Sequence, residues 1–357
     1  MSEIKVLVVD DSAFMRKMIS DMINETKDMS VIDTARNGLD ALEKIKKLKP
    51  DVVTLDVEMP VLDGISSLRK IMEEQPVPVI MLSSLTTKGA SSSIQAMEYG
   101  AVDFVSKPSG SISLDIEEIK QELIQKIRMA KTANLNKNNL TTYKADSNQL
   151  ETKKYLNVTQ FPFLHKQTVV AVGVSTGGPR ALQQLLSHLD KDFNAPILIV
   201  QHMPKKFTKT LAERLDKLSP LRVKEAEDGE ILTPKTAYIA PGDHHMKIRR
   251  IGSSLAISLD QTEPEKGHRP SVNVLFRSVA EIKNLNKIAV VLTGMGDDGT
   301  KGVKVLKEKD RSSIILAESK QSAVIYGMPR SVIEKVGANF IVHIDEMAET
   351  LTQIVQD

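Results

Sequence analysis

In the first 130 residues, short runs of β-branched and apolar residues alternate with stretches of helical period. "KVLVVD", "VIDTA", "DVVTLDV", "VPVIMLSS" and "AVDFVSK" show no polar alternation, so each expected strand is buried on both faces. Between and after them, "SAFMRKMISDMINE", "LDALEKIKKL", "ISSLRKIMEE", "ASSSIQAMEYG" and "LDIEEIKQELIQKIRMA" carry apolar residues three and four apart. Five strand–helix units in series leave little choice. Each connection must cross over a sheet face, giving a five-stranded, doubly wound parallel sheet.

The same texture returns after residue 166, with strands expected at "VVAVGV", "APILIVQH", "AYIAPG", "LAISL", "KIAVVLTG" and "SSIILA". "AYIAPGDHHMKIRRIGSSLAISLD" reads as a hairpin-containing insert. A second doubly wound α/β domain follows, with a mostly parallel sheet and an antiparallel edge. Between the two, "NLNKNNLTTYKADSNQLETKKYLNVTQ" has no apolar period and reads as a polar linker, its apolar knot "FPFLH" apart. The expected division is a first domain at 1–130, a linker at 131–166 and a second domain at 167–357.

Composition narrows the function. With 48 Lys and Arg against 46 Asp and Glu, the net charge of +2 gives no basic footprint for nucleic acid. No helix-turn-helix pattern follows the linker, which argues against a transcriptional output. The chain has no cysteine, so disulfides, thiol catalysis and thiolate metal sites are excluded. No apolar run reaches the length of a membrane helix and the N-terminus lacks a signal-peptide core, so a cytoplasmic protein without membrane insertion is expected.

Sites in open α/β sheets lie at the carboxyl ends of strands. Four such ends in the first domain carry Asp10 and Asp11, Asp56, Ser83 and Ser84, and Lys107. One acid alone is as well explained as a helix cap or turn residue. Three carboxylates at one rim repel unless a hard cation such as Mg²⁺ shares their charge, and a lysine with a hydroxyl opposite suits a phosphoryl group.

"VVDDSAFMR", "DVVTLDVEMPVLDG", "VIMLSS" and "DFVSKP" resemble, in order and spacing, the two-component receiver domain. The resemblance implies that Asp56 accepts a phosphoryl group. Asp10, Asp11 and Asp56 would hold Mg²⁺ with the backbone carbonyl of Glu58. Lys107 would pair with the phosphoryl group, and Ser83 and Phe104 take the switch-hydroxyl and switch-aromatic places.

The second domain opens with "TVVAVGVSTGGPRALQQLL", a strand, a glycine turn and a helix. "GVSTG" fits G-x-S-x-G, which sets an exposed serine on a strained turn, and Ser175 is then either a nucleophile or part of a plain tight turn. A phosphate loop is disfavoured, since no G-x-x-x-x-G-K-[ST] follows. Of seven histidines, His202 follows the apolar run "APILIVQ" and so reaches the same rim as Ser175. His188 falls in a helix and His343 in a late strand, both structural; His165 borders the linker. His244 and His245 are adjacent and point to opposite faces of a strand, while His268 lies in a loop where it can touch substrate. Asp297 and Asp298, in "LTGMGDDG", end a third strand and offer the orienting carboxylate, with Asp243 a weaker rival.

"GVSTGGP", "QHMP", "VKEAEDGE", "AYIAPGDHHM", "HRPSVNVLF", "LTGMGDDG" and "YGMPR" together resemble the catalytic domain of the chemotaxis protein-glutamate methylesterase family. The resemblance implies that Ser175 is the nucleophile, His202 its base and Asp298 the third member. It places the backbone N–H of Met295 at the oxyanion and Thr176 beside the nucleophile. It further implies demethylation of glutamate methyl esters on chemoreceptor helices, releasing methanol, with deamidation of receptor glutamines by the same groups and no cofactor for the ester chemistry. Control would come from a chemotaxis histidine kinase through phosphorylation of Asp56.

Overall fold

The computed structural model describes residues 3–84, 86–107, 116–135 and 167–356. The chain falls into two compact units, Met1–Asn136 and Lys137–Asp357. Most of the expected linker, with "FPFLH" and His165, lies outside the described residues, as does Pro108.

In the first unit, β1 (Ile4–Val9), β2 (Met29–Ala35), β3 (Val52–Asp56), β4 (Val79–Ser83) and β5 (Asp103–Ser106) alternate with α1 (Ala13–Asn24), α2 (Gly38–Leu48), α3 (Gly64–Glu74), α4 (Thr87–Glu98) and α5 (Ile116–Ala130). The sheet order is β2-β1-β3-β4-β5 and every pair is parallel, as expected. All residues of β3 and β4 are buried, as their uninterrupted apolar runs require. Ser12, Asn37 and Asp63 cap α1, α2 and α3 through their side chains, so neither Asp10 nor Asp11 is spent as a cap.

The second unit contains β6 (Thr168–Val174), α6 (Gly178–Ser187), β7 (Ile197–Gln201), α7 (Phe207–Asp216), β8 (Arg222–Glu225) and β9 (Thr236–Ile239). It continues through β10 (His245–Ile251), β11 (Ser254–Asp260), α8 (Val272–Glu281), β12 (Asn286–Val291) and α9 (Thr300–Lys309). β13 (Ile314–Glu318), α10 (Met328–Lys335), β14 (Phe340–Val342) and α11 (Ile344–Gln356) complete it. Seven strands form one parallel sheet in the order β14-β13-β12-β6-β7-β9-β8.

The antiparallel part exists, but as a separate β10–β11 hairpin rather than as an edge of this sheet. Met246, Ile248, Leu255 and Ile257 of the hairpin share one core with Leu275, Phe276 and Val279 of α8 and with Val169, Leu198 and Val291 of the sheet. Burying those side chains holds the hairpin over the sheet beside α8, at about 1.5–3 kcal/mol for each large aliphatic residue. The true edges, β8 and β14, are four and three residues long, too short to show a period in the sequence. His343 accordingly follows a strand rather than lying inside one, and His188 sits at the C-cap of α6.

Candidate active site

β12, β6 and β7 are neighbours and parallel, so their carboxyl ends meet at one edge. From β6 the chain runs out to β7 on one side and later returns to β12 on the other, which makes a topological switch point there. Ser175 is the first residue past β6 and is half-buried. Its N–H donates to the Thr293 carbonyl at 3.0 Å, and its carbonyl accepts from Gly178 N–H at 2.8 Å. The position of the turn that would strain any residue but glycine is not the serine. It is Gly177, at φ 77°, where an added Cβ would also meet Val324 at 2.8 Å.

His202 follows β7, and its N–H donates to the Val174 carbonyl at 3.2 Å. Its Nδ1 lies 3.1 Å from Ser175 Oγ and its Nε2 lies 2.8 Å from Asp298 Oδ2. The ring therefore meets the hydroxyl through Nδ1 and the carboxylate through Nε2, the reverse of the familiar serine-protease sense. Gln201, buried just before it, donates through Nε2 to the carbonyls of Ser175 and His202, at 3.0 Å each. His268 stacks on the His202 ring at 3.9 Å between centroids and 5° between planes. Burial, then the neighbouring imidazole, pushes His268 down to about 4, so it is neutral near pH 7.

The structure separates Asp298 from Asp297. Asp298 is buried at the N-terminus of α8, where Val272 N–H donates to Oδ2 at 2.8 Å and Asn273 N–H to Oδ1 at 3.0 Å. Ser271 Oγ and Gly299 N–H also donate to Oδ1, both at 3.0 Å. Burial opposes the charge, but the bond from His202 and these donors hold the carboxyl well below the usual carboxylate range. Asp297 faces outward to Lys266 at 2.5 Å and Lys335 at 3.4 Å. Asp243 is taken up by Arg269 and Gln261. His245 occupies both ring nitrogens, accepting from Ser271 N–H at 3.2 Å and meeting the Glu263 carbonyl at 3.2 Å.

On the other side of Ser175, Gly294 comes so close that an added Cβ would lie 2.7 Å from Ser175 Cβ. Met295, half-buried, follows it directly. Thr176 is buried, and its carbonyl accepts from Thr293 Oγ1 at 2.9 Å. Sequence reasoning missed Gln201, Ser271, Asn273 and Glu318. Gln201 and Glu318 do carry a signal, a lone polar residue closing an apolar strand ("ILIVQ", "IILAE").

In the first unit, ligand oxygens of Asp10, Asp11 and Asp56 all lie within 4.8 Å of one another. Among the described residues this is the one acidic cluster with such spacing. Lys107 Nζ is 2.7 Å from both Asp10 Oδ2 and Asp56 Oδ1. Burial raises the Asp56 carboxyl to about 6, against the pull of Lys107. The Glu58 side chain pairs outward with Lys88 at 2.6 Å, while its N–H approaches Asp56 Oδ1 at 3.4 Å. Ser83 Oγ turns away from the acids to the Gly89 carbonyl at 3.0 Å. Phe104 is buried beneath Lys126, whose Nζ is 5.1 Å from the ring centroid.

A hydroxyl, an imidazole and a carboxylate in line on one α/β unit, joined to an acidic cluster with a lysine on another, match two known domain families. Residues 170–351 match the CheB methylesterase model, and residues 6–118 match the response regulator receiver domain. A protein-glutamate methylesterase/protein-glutamine glutaminase of Geobacillus kaustophilus is 51% identical over 356 residues, spanning 99% of both chains. The Bacillus subtilis protein of the same name is 45% identical over 359 residues, again 99% of each. The crystal structure of the Thermotoga maritima CheB methylesterase catalytic domain superposes with a TM-score of 0.51 at 43% identity, covering 53% of this chain and 99% of that one. The chain belongs to the CheB methylesterase family. Among the described residues, no helix is long and apolar enough to cross a membrane.

Proposed function

We propose that this chain is a phosphorylation-activated hydrolase of chemoreceptors, acting in the cytoplasm. It removes methyl groups from glutamate methyl esters as methanol and converts glutamines to glutamates with release of ammonia. The observation that carries this reading is the line from Ser175 Oγ through His202 to Asp298, at 3.1 and 2.8 Å.

Both distances lie within the reach of proton transfer. As Ser175 Oγ bonds to the γ-carbonyl carbon, His202 Nδ1 takes the hydroxyl proton. The tetrahedral adduct collapses with that proton returned to methoxide, and methanol leaves an acyl-serine. Water, deprotonated by the same nitrogen, then releases the glutamate and restores Ser175. Asp298 accepts the Nε2–H, fixes the ring and balances the imidazolium. The Met295 N–H, beside Gly294, faces the developing oxyanion, and Thr176 supports the nucleophile turn.

In the receiver unit Asp56 accepts the phosphoryl group from a chemotaxis histidine kinase. Three hard carboxylate oxygens so close together fit Mg²⁺. Asp10, Asp11, Asp56 and the Glu58 carbonyl would hold the ion, which would offset the charge of the incoming phosphoryl oxygens. Lys107, already on Asp56, turns to the phosphoryl group; Ser83 exchanges the Gly89 carbonyl for it, and Phe104 follows. The test is methanol release from methylated receptor, with and without a small phosphodonor, by the native chain and by Ser175→Ala. Release that depends on Ser175 and rises with the phosphodonor is the expected result. Release that survives Ser175→Ala would overturn the reading.

A further inference from the structure

Glu318 ends β13, the neighbour of β12, and is 1% exposed. Among the described residues it forms no ion pair, and the charge that acts on it is Asp345, which sits 3.4 Å from His343 and accepts from Gln184. Burial pushes its carboxyl up to about 7. An acid buried without a cation is costly, so its contacts matter.

Those contacts lead to the nucleophile. Glu318 Oε2 accepts the Thr293 N–H at 2.7 Å, and Oε1 accepts Ser322 Oγ at 2.9 Å. Ser322 Oγ in turn accepts the Ile344 N–H at 3.1 Å, which anchors the carboxylate from behind. Thr293 holds the serine turn at two points: its carbonyl takes the Ser175 N–H at 3.0 Å, and its hydroxyl donates to the Thr176 carbonyl at 2.9 Å. The next residue, Gly294, is the one pressed against Ser175 Cβ.

We propose that Glu318 is a positioning residue of the hydrolase. Its bond to the Thr293 N–H fixes the Leu292–Thr293 peptide and, through the Thr293 carbonyl and Gly294 that follow, sets the spacing between Ser175 Oγ and the Met295 N–H. The proposal rests on the reading of Ser175 as the nucleophile. Glu318 touches no substrate; it acts through Thr293.

The experiment measures kcat and KM for methanol release by the full chain, together with the rate at which a fluorophosphonate labels Ser175. Glu318→Ala should lower kcat and labelling on the order of 10- to 100-fold while KM stays within about twofold, as small misplacements of reacting groups do. Glu318→Gln should recover most of both, because its amide oxygen can accept from Thr293 and its amide nitrogen can donate to Ser322 Oγ. If Glu318→Ala fails to fold, Glu318→Asp keeps the charge but falls one methylene short, and should lose rate where Glu318→Gln does not. A folded Glu318→Ala with native kcat, a loss confined to KM, or a Gln variant as slow as the Ala variant would overturn the proposal alone. A native chain that neither releases methanol nor labels would overturn the nucleophile reading, and this inference with it.

Discussion

At the edge of the receiver sheet, Asp10, Asp11 and Asp56 crowd together, and Lys107 is the ammonium in contact with two of them. At the edge of the hydrolase sheet, Asp298 stands among five donors: His202, Ser271, Val272, Asn273 and Gly299. Both sites use the carboxyl ends of parallel strands at a point where the strand order reverses. The difference lies in how charge is met. The hydrolase carboxylate is satisfied by its own chain, through a helix N-terminus and an imidazole. The receiver carboxylates outnumber the one lysine in contact with them among the described residues, so their charge is only partly met by their own chain.

The largest expected effect tests the self-contained site. Ser175→Ala should lower kcat for methanol release by about 10⁴- to 10⁶-fold, as loss of a triad nucleophile does elsewhere. Asp298→Asn comes next. A single amide oxygen cannot accept what five donors now offer, and the ring loses its anchor, so kcat should fall on the order of 10⁴-fold. Asp297→Asn should stay within about twofold, since its exposed pairs with Lys266 and Lys335 contribute little. Steady-state kinetics of the two variants side by side would reverse the assignment if Asp297→Asn proved the more damaging.

The contrast sharpens with a chelator. EDTA, like Asp56→Asn, should abolish stimulation by a phosphodonor, a gain of about 5- to 150-fold if the coupling is of ordinary size. Unstimulated methanol release should persist in EDTA. Loss of that basal rate would mean that the hydrolase site also depends on a metal, and the comparison would fail.

The smallest effect concerns stability. Glu318 has a folded-state value near 7 against an ordinary 4.5, so the folded protein binds its proton more tightly than the unfolded chain. Its contribution is therefore fully present below pH 4.5 and is lost as pH rises through about 7. Glu318→Gln removes this dependence. The Tm of the hydrolase unit should match the native one at low pH and exceed it above pH 7, with the gap opening between. A gap independent of pH would show that Glu318 does not titrate in that window.

The polar residues gathered at the two sheet edges were legible because they sit where strands stop. Runs such as "KVLVV" and "APILIV" can only be buried strands, so the polar residue after each must surface at one sheet edge. That placed Asp10, Asp56, Lys107, Ser175 and His202 without a structure, and the parallel sense of the receiver strands followed from four crossovers in series. Local periodicity carried no further. Asp297 and Asp298 differ by one position in a glycine turn, and only the packing of α8 against β6 and β12 brings the free N–H groups of Val272 and Asn273 to Asp298. The sense of the His202 ring, the stacking of His268, the support from Gln201 and Glu318, and the hairpin's place above the sheet are likewise contacts between segments distant in sequence. Strand ends are fixed by the pattern of burial along the chain. Which side chain faces which across those ends is fixed by strand order and register, and those exist only once the sheet has formed.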